Sequence, residues 1–137
     1  MSPSRAVLVS ALILIVVIAA VHVNAMTYRW YFVYWWLDIP MHFLGGAWIA
    51  LAMVWAFLSF KQLSGFRRIF LAILLSVLIV GVGWEIFEYK LGERFFIEHE
   101  TYAIDTSIDL FMDILGGVVV YAIINFFYSL HRTETPA

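Results

Sequence analysis

Residues 6–23 read AVLVSALILIVVIAAVHV, eighteen positions without a charge, preceded by Arg5. A helix that crosses a bilayer needs about 20 apolar residues, and this run predicts one. It ends in Val23-Asn24-Ala25, which resembles a signal-peptidase site. A signal core is usually about 7–15 residues; this run is longer and is read as a retained helix.

The rest of the chain repeats the pattern. Apolar residues make up 64% of the 137 and charged residues 13%, where soluble chains have about 45–50% and about 25%. Four spans are expected, at about 6–24, 38–60, 69–89 and 105–128. They would use about 80 residues, which leaves room for ends and loops but not for many more spans. No repeat or linker divides residues 1–137, so one integral membrane domain is expected. The expected fold class is all-α: a polytopic membrane protein, a four-transmembrane-helix bundle.

Composition also excludes functions. There is no cysteine, so disulfides, thiolate metal sites and a Cys nucleophile are out. Eight basic residues at net charge −2 make no nucleic-acid surface. The 18% aromatic content excludes a polar disordered chain.

Between the first two spans, residues 28–36 read YRWYFVYWW, seven of nine aromatic. Trp and Tyr collect where bilayer meets water, because each ring is apolar at one end and polar at the other. Trp30, Tyr34, Trp35 and Trp36 are therefore expected in an interfacial belt. Asp38 can cap the second span, with Pro40 in its first turn. A basic loop with Lys61, Arg67 and Arg68 follows it, and a loop of mixed charge, about 90–104, precedes the fourth span.

Six of the ten acidic residues lie in or at the edge of spans: Asp38, Glu85, Glu88, Asp105, Asp109 and Asp113. A charge at mid-bilayer costs roughly 2.5–3.5 kcal/mol on insertion scales, so each is a functional candidate. Asp38 and His42 are four apart, Glu85 and Glu88 three apart, and Asp105, Asp109 and Asp113 advance by fours. These spacings put each set on one helix face. In an up-down bundle the start of the second span, the end of the third and the start of the fourth share one side of the membrane. Gly45-Gly46, Gly81, Gly83 and Gly116-Gly117 stand beside these motifs and are expected to let the helices approach closely.

Carboxylates at close range cannot all stay ionised without positive charge nearby. They share protons, bind a cation, or pair with basic side chains such as Arg29, Lys90 and Arg94. Oxygen ligation with one nitrogen suits Mg²⁺, Mn²⁺, Zn²⁺ or Fe²⁺. The expected metal set is Asp38, His42, Glu85, Glu88, Asp109 and Asp113. Asp105 is expected to cap the fourth span or, with Arg94, to support the set from behind. His22 and His131 sit near span ends, on the cytoplasmic or flanking side, and His99 lies in a loop.

Three motifs in order are Asp38-Ile39-Pro40-Met41-His42-Phe43-Leu44-Gly45-Gly46, then Trp84-Glu85-Ile86-Phe87-Glu88, then Asp105, Asp109 and Asp113 before Gly116-Gly117. Together they resemble the YjdF-like bacterial inner-membrane proteins. More distantly they resemble the VanZ-like family, associated with teicoplanin resistance. That family tends to have a basic residue after the first Asp and Asn in the last motif, where this chain has Ile39 and Asp113. The resemblance implies a helical membrane protein with a polar site.

The functional expectation is a divalent-cation site near the extracytoplasmic face that acts on or binds a lipid, a lipid-linked ligand or an envelope component. A proton or cation transporter is one alternative, but the other half of the spans offers only scattered groups such as Ser10, Ser59, Ser76 and Asn125. A non-catalytic envelope-binding or resistance protein is another.

Orientation follows from the basic residues. Arg5, Lys61, Arg67, Arg68 and Arg132 fall on one side, and Arg29, Lys90 and Arg94 on the other. The side richer in Lys and Arg is cytoplasmic, so both termini are expected inside, in a bacterial cytoplasmic membrane. Single cysteines at Gln62 and Thr101 test this: an impermeant thiol reagent on intact cells is expected to label position 101 and spare 62.

Overall fold

A computed structural model describes residues 2–60, 65–91 and 99–133. They form helices α1 (Pro3–Thr27), α2 (Trp30–Val33), α3 (Asp38–Ser59), α4 (Phe66–Leu91) and α5 (His99–Thr133), with a 3-10 turn at Trp35–Leu37. No strand occurs among the described residues. Four stretches are long and apolar enough to cross a membrane: Pro3–Thr27, Trp35–Ser59, Arg67–Lys90 and Tyr102–Phe127. The fold is an all-α, four-helix membrane bundle.

Helix ends follow local chemistry, with two departures from expectation. Pro3 opens α1, and the Ser2 hydroxyl accepts from the Arg5 N–H at 3.4 Å, which satisfies a donor that the helix start would leave unpaired. Arg29 takes a left-handed conformation, φ 57°, and so breaks the chain between α1 and α2. Asp38 does not cap α3. Leu37 holds the cap position, and Asp38 is already helical, at φ −63° and ψ −43°. Its carboxylate instead sits in the first turn, where the helix dipole favours negative charge. Asp105 does not cap α5 either. That helix starts upstream at His99, so the stretch from His99 to Ile104 is helix rather than loop. Glu93, Arg94 and Glu98 of the expected loop lie outside the described residues, as does Lys61.

α3 is the central helix. It packs most extensively against α5 and also against α1 and α4, while α4 pairs with α5. The apolar core gathers Ala47, Ala50 and Val54 of α3, Ile73 and Val77 of α4, and Val120 of α5. Ile73 and Val77 are fully buried. This core occupies one half of the bundle, and the acidic residues converge in the other. The outer faces stay apolar, with Ile13 and Val16 of α1, Ile79 of α4 and Phe111 of α5 all exposed. On a water-soluble protein such a surface would associate; between spans it meets lipid.

The α3–α5 crossing depends on glycine. A Cβ on Gly46 would overlap the backbone of Asp113, and a Cβ on Gly116 would overlap the backbone of Phe43 and Ala47. Backbones this close leave room only for hydrogen at those positions. Gly81 is pressed against the Asp113 side chain. Gly83 departs from the expected role, since nothing lies within 4 Å of where its Cβ would be.

Gly46→Ala is therefore expected to destabilise the bundle by about 1–3 kcal/mol, the usual cost of forcing extra volume into a packed contact. Gly83→Ala is expected to stay within about 0.5 kcal/mol of wild type, or to gain helix propensity. Thermal unfolding of both variants in one detergent checks the contrast.

Candidate functional site

His42 is the hub. It lies one turn into α3, and its ring is buried. Its Nε2 sits 3.8 Å from Asp38 Oδ1, 3.8 Å from Glu85 Oε1 and 4.0 Å from Asp109 Oδ1. On the other side of the ring, Nδ1 lies 3.4 Å from Asp113 Oδ2. Three helices thus aim four carboxylates at one imidazole. The helical spacing explains how. Asp38 and His42 share a face of α3, while one turn separates Asp109 from Asp113 on α5, one carboxylate for each ring nitrogen.

Burial here is deep for charged groups. Glu85 is 6% exposed, Asp109 3% and Asp113 4%; Asp38 is half-buried. Glu85 is held from two directions: its Oε2 accepts from the Thr106 hydroxyl at 2.7 Å, and its backbone carbonyl accepts from the Tyr102 hydroxyl at 3.5 Å. Its other oxygen, Oε1, is buried without a hydrogen-bond partner, and so is His42 Nε2. Most buried polar groups in folded proteins are hydrogen-bonded, so these two atoms, which face each other at 3.8 Å without a hydrogen bond, are the least satisfied point of the cluster.

Two overlapping sets are compact enough to surround an ion. Ligand atoms of Asp38, His42 and Asp109 lie within 4.8 Å of one another, and so do those of His42, Glu85 and Glu88. Glu88 is engaged as well: Trp84 Nε1 donates to its Oε1 at 2.6 Å. Asp113 meets the Nδ1 edge of the ring, away from the gap between Nε2 and Glu85. Asp105 is half-buried on α5. Of the basic partners considered, Arg29 and Lys90 are exposed, and Arg94 lies outside the described residues.

The aromatic belt is split. Tyr34, Trp35 and Trp36 are exposed, whereas Trp30 is half-buried and stacks on Tyr28 with ring centroids 6.0 Å apart. His22 departs from expectation: it is on the same side as the acidic cluster. Its Nδ1 lies 3.0 Å from the Tyr31 hydroxyl, and its ring meets the edge of Trp84 at 5.8 Å. The end of the first span and the start of the second lie on one side of the membrane, so His22, near the end of α1, stands with Asp38 at the start of α3. Thr106, Tyr102, Trp84 and Tyr31 were not singled out from sequence. Thr106 carried a signal, since it precedes Asp109 by three and so shares its helix face.

A family model described as Predicted membrane protein (DUF2238) matches residues 5–130. The chain belongs to this family. The YjdF-like resemblance is consistent with it. No curated protein and no solved structure matches the chain. The DUF2238 match includes every residue of the acidic cluster and all four membrane-crossing stretches but for the first two residues of the first.

Thr106→Val is expected to leave Glu85 Oε2 without its donor. An unsatisfied buried acceptor costs about 1–3 kcal/mol, more when charged, and Thr106→Ser should restore most of the loss. Unfolding of the two variants in detergent reads the difference.

Proposed function

We propose that this DUF2238 protein holds a divalent cation between α3, α4 and α5, at the extracytoplasmic end of the bundle, and uses it to bind or act on a lipid or lipid-linked headgroup. One observation carries the reading: His42 Nε2 and Glu85 Oε1 face each other across 3.8 Å, buried and unpaired, with Asp38 and Asp109 beside them.

The donor set fits a cation. Oxygen and nitrogen ligands about 2.0–2.2 Å from one metal lie about 3–3.5 Å from each other. The gaps around Nε2 are 3.8–4.0 Å, so small inward shifts of flexible carboxylates close the shell. Asp113 takes a different part. By accepting from Nδ1–H it fixes the ring tautomer that leaves the Nε2 lone pair pointing at the gap, the usual arrangement behind a metal-bound histidine. Glu88 stands within reach as a further oxygen donor. One imidazole among carboxylates suits Mn²⁺, Zn²⁺ or Fe²⁺, and also Mg²⁺ with retained waters. Such an ion polarises a phosphate oxygen or activates water. The site lies near the membrane surface, where a headgroup can meet it and where the aromatic belt anchors the adjoining chain.

Metal analysis of purified wild-type protein, beside the Glu85→Gln, Asp109→Asn double variant, tests the reading. Wild type is expected to retain a divalent ion that the double variant loses. Melting temperature should rise with added Mn²⁺ or Zn²⁺ in wild type, because a ligand at about 100 times its Kd stabilises the folded state by about 2.7 kcal/mol. His42→Ala should abolish the rise, and Asp113→Asn should weaken binding about 10–100-fold. Unchanged melting across a divalent series would favour shared protons or ion pairing.

A further inference from the structure

The cation site leaves a neighbouring cavity unexplained. It encloses about 280 Å³. Its walls are apolar, made by Ile15 and Ile18 of α1, Trp48 and Ile49 of α3, and Val80 of α4. Asp38 and Glu88 line its polar end beside His42, and the Asp113 carboxylate enters from α5 at the level of Gly81. From Asp38 to Ile49, α3 descends about 16 Å, at about 1.5 Å per residue. Below Asp113 the lining is hydrocarbon, with Ile15, Trp48 and Ile49, so it passes from acidic to apolar along the depth of one leaflet.

The cavity also has an open side. At the polar end an aromatic bridge joins α1 to α4, where the His22 ring meets Trp84 and Tyr31 holds His22 Nδ1. Deeper than the bridge, the cavity separates the two helices. There Ala19 of α1, which lines it, is exposed, and Val80 is 48% exposed. Both helices are spans, so hydrocarbon surrounds that opening. Apolar walls without a neighbour forfeit dispersion contacts, and water finds polar partners only near Asp38, His42, Glu88 and Asp113, not along Ile15, Ile18, Trp48 and Ile49. The surrounding medium supplies an occupant of the right chemistry.

We propose that the cavity takes one hydrocarbon chain of a membrane amphiphile, inserted sideways between α1 and α4, with a phosphate-bearing headgroup at the acidic end. The headgroup assignment rests on the cation reading above; the chain assignment does not. Asp38, Glu88 and Asp113 repel a bare phosphate, whereas a cation held by the neighbouring carboxylates offers it an open coordination position. Polarity in the cavity runs in the same direction as in a lipid of the adjacent leaflet. One molecule thus satisfies the apolar walls and the cation together.

The probe is a phospholipid with a photoactivatable diazirine on one acyl chain, reconstituted with the full-length protein in phosphatidylcholine vesicles containing Mn²⁺. Adduct positions are mapped by mass spectrometry. Ile49 is 8% exposed and lies on the cavity wall, so it reports chains inside rather than lipid around the bundle. Adducts are expected at Trp48 and Ile49. They should be lost in Ala19→Trp and in Val80→Trp, which fill the space from opposite walls, and either folded variant suffices. They should persist in Val16→Trp, at a position 66% exposed and outside the cavity lining. Adducts confined to outward positions such as Ile13 and Val16, or unchanged adducts at Ile49 in the filled variants, would overturn the chain assignment. Chelation of Mn²⁺ should reduce Ile49 adducts from the phospholipid and spare those from a diacylglycerol with the same chain. Equal response of both probes would overturn the headgroup assignment alone. If wild type binds no divalent ion while Ile49 adducts still disappear in Ala19→Trp, the cation reading fails and the cavity assignment stands.

Discussion

Four carboxylates within 4.0 Å of one imidazole, buried at the end of a membrane bundle, form the constraint around which the rest is arranged. Each of these groups is expensive inside a bilayer, and like charges at such separation repel unless positive charge lies between them. The bundle gives His42 a position that three helices can reach. It then leaves Nε2 and Glu85 Oε1 at the centre 3.8 Å apart and without a hydrogen bond. An arrangement that served stability alone would gain by pairing them, or by replacing them with apolar groups.

Holding that arrangement requires close backbones. Asp113 provides both a carboxylate to His42 Nδ1 and the backbone against which Gly46 packs. Site and scaffold therefore share residues: moving α5 away from α3 to make room for a side chain at Gly46 or Gly116 would also move Asp109 and Asp113 from the imidazole. The apolar core around Ile73 and Val77 lies in the other half of the bundle, so the polar end is held mainly by the glycine crossing and by the grip of Thr106 and Tyr102 on Glu85. The extra turn of α5 before Asp105 matters for the same reason, since it carries Tyr102 to α4.

Helix α1 stands apart from this pattern. It leans on α3 and contributes no carboxylate to the cluster. Among its described residues only Ala11 and Ala25 are buried. Its relation to α4 is a ring contact at the polar end with a cavity below it. A bundle that needed α1 only as an anchor would gain dispersion energy by closing that space. The proposed occupancy by a hydrocarbon chain accounts for the gap and for its polarity together.

Much of this was legible from residue order. Four long apolar runs, three of them carrying acidic residues, determine the number of spans, because hydrocarbon admits only backbone that satisfies its own hydrogen bonds. Helical spacing of Asp38 with His42, Glu85 with Glu88, and Asp109 with Asp113 determines that each set shares a face, and alternation of the spans puts the sets at one end. Order could not say which nitrogen of His42 meets which carboxylate, because that depends on the rotation of α5 about its own axis, set by the Gly116 contact with α3. It placed the start of α3 correctly but took Asp38 for its cap, and it put the start of α5 too late, because a cap and an interior acidic residue look alike in one dimension. It also placed His22 wrongly, although alternation of the spans puts the end of α1 beside the start of α3; the left-handed turn at Arg29 then brings Tyr31 back to it. The cavity between α1 and α4 has no signature in sequence at all: its apolar residues read as ordinary spans, and only the failure of two helices to meet makes them a wall.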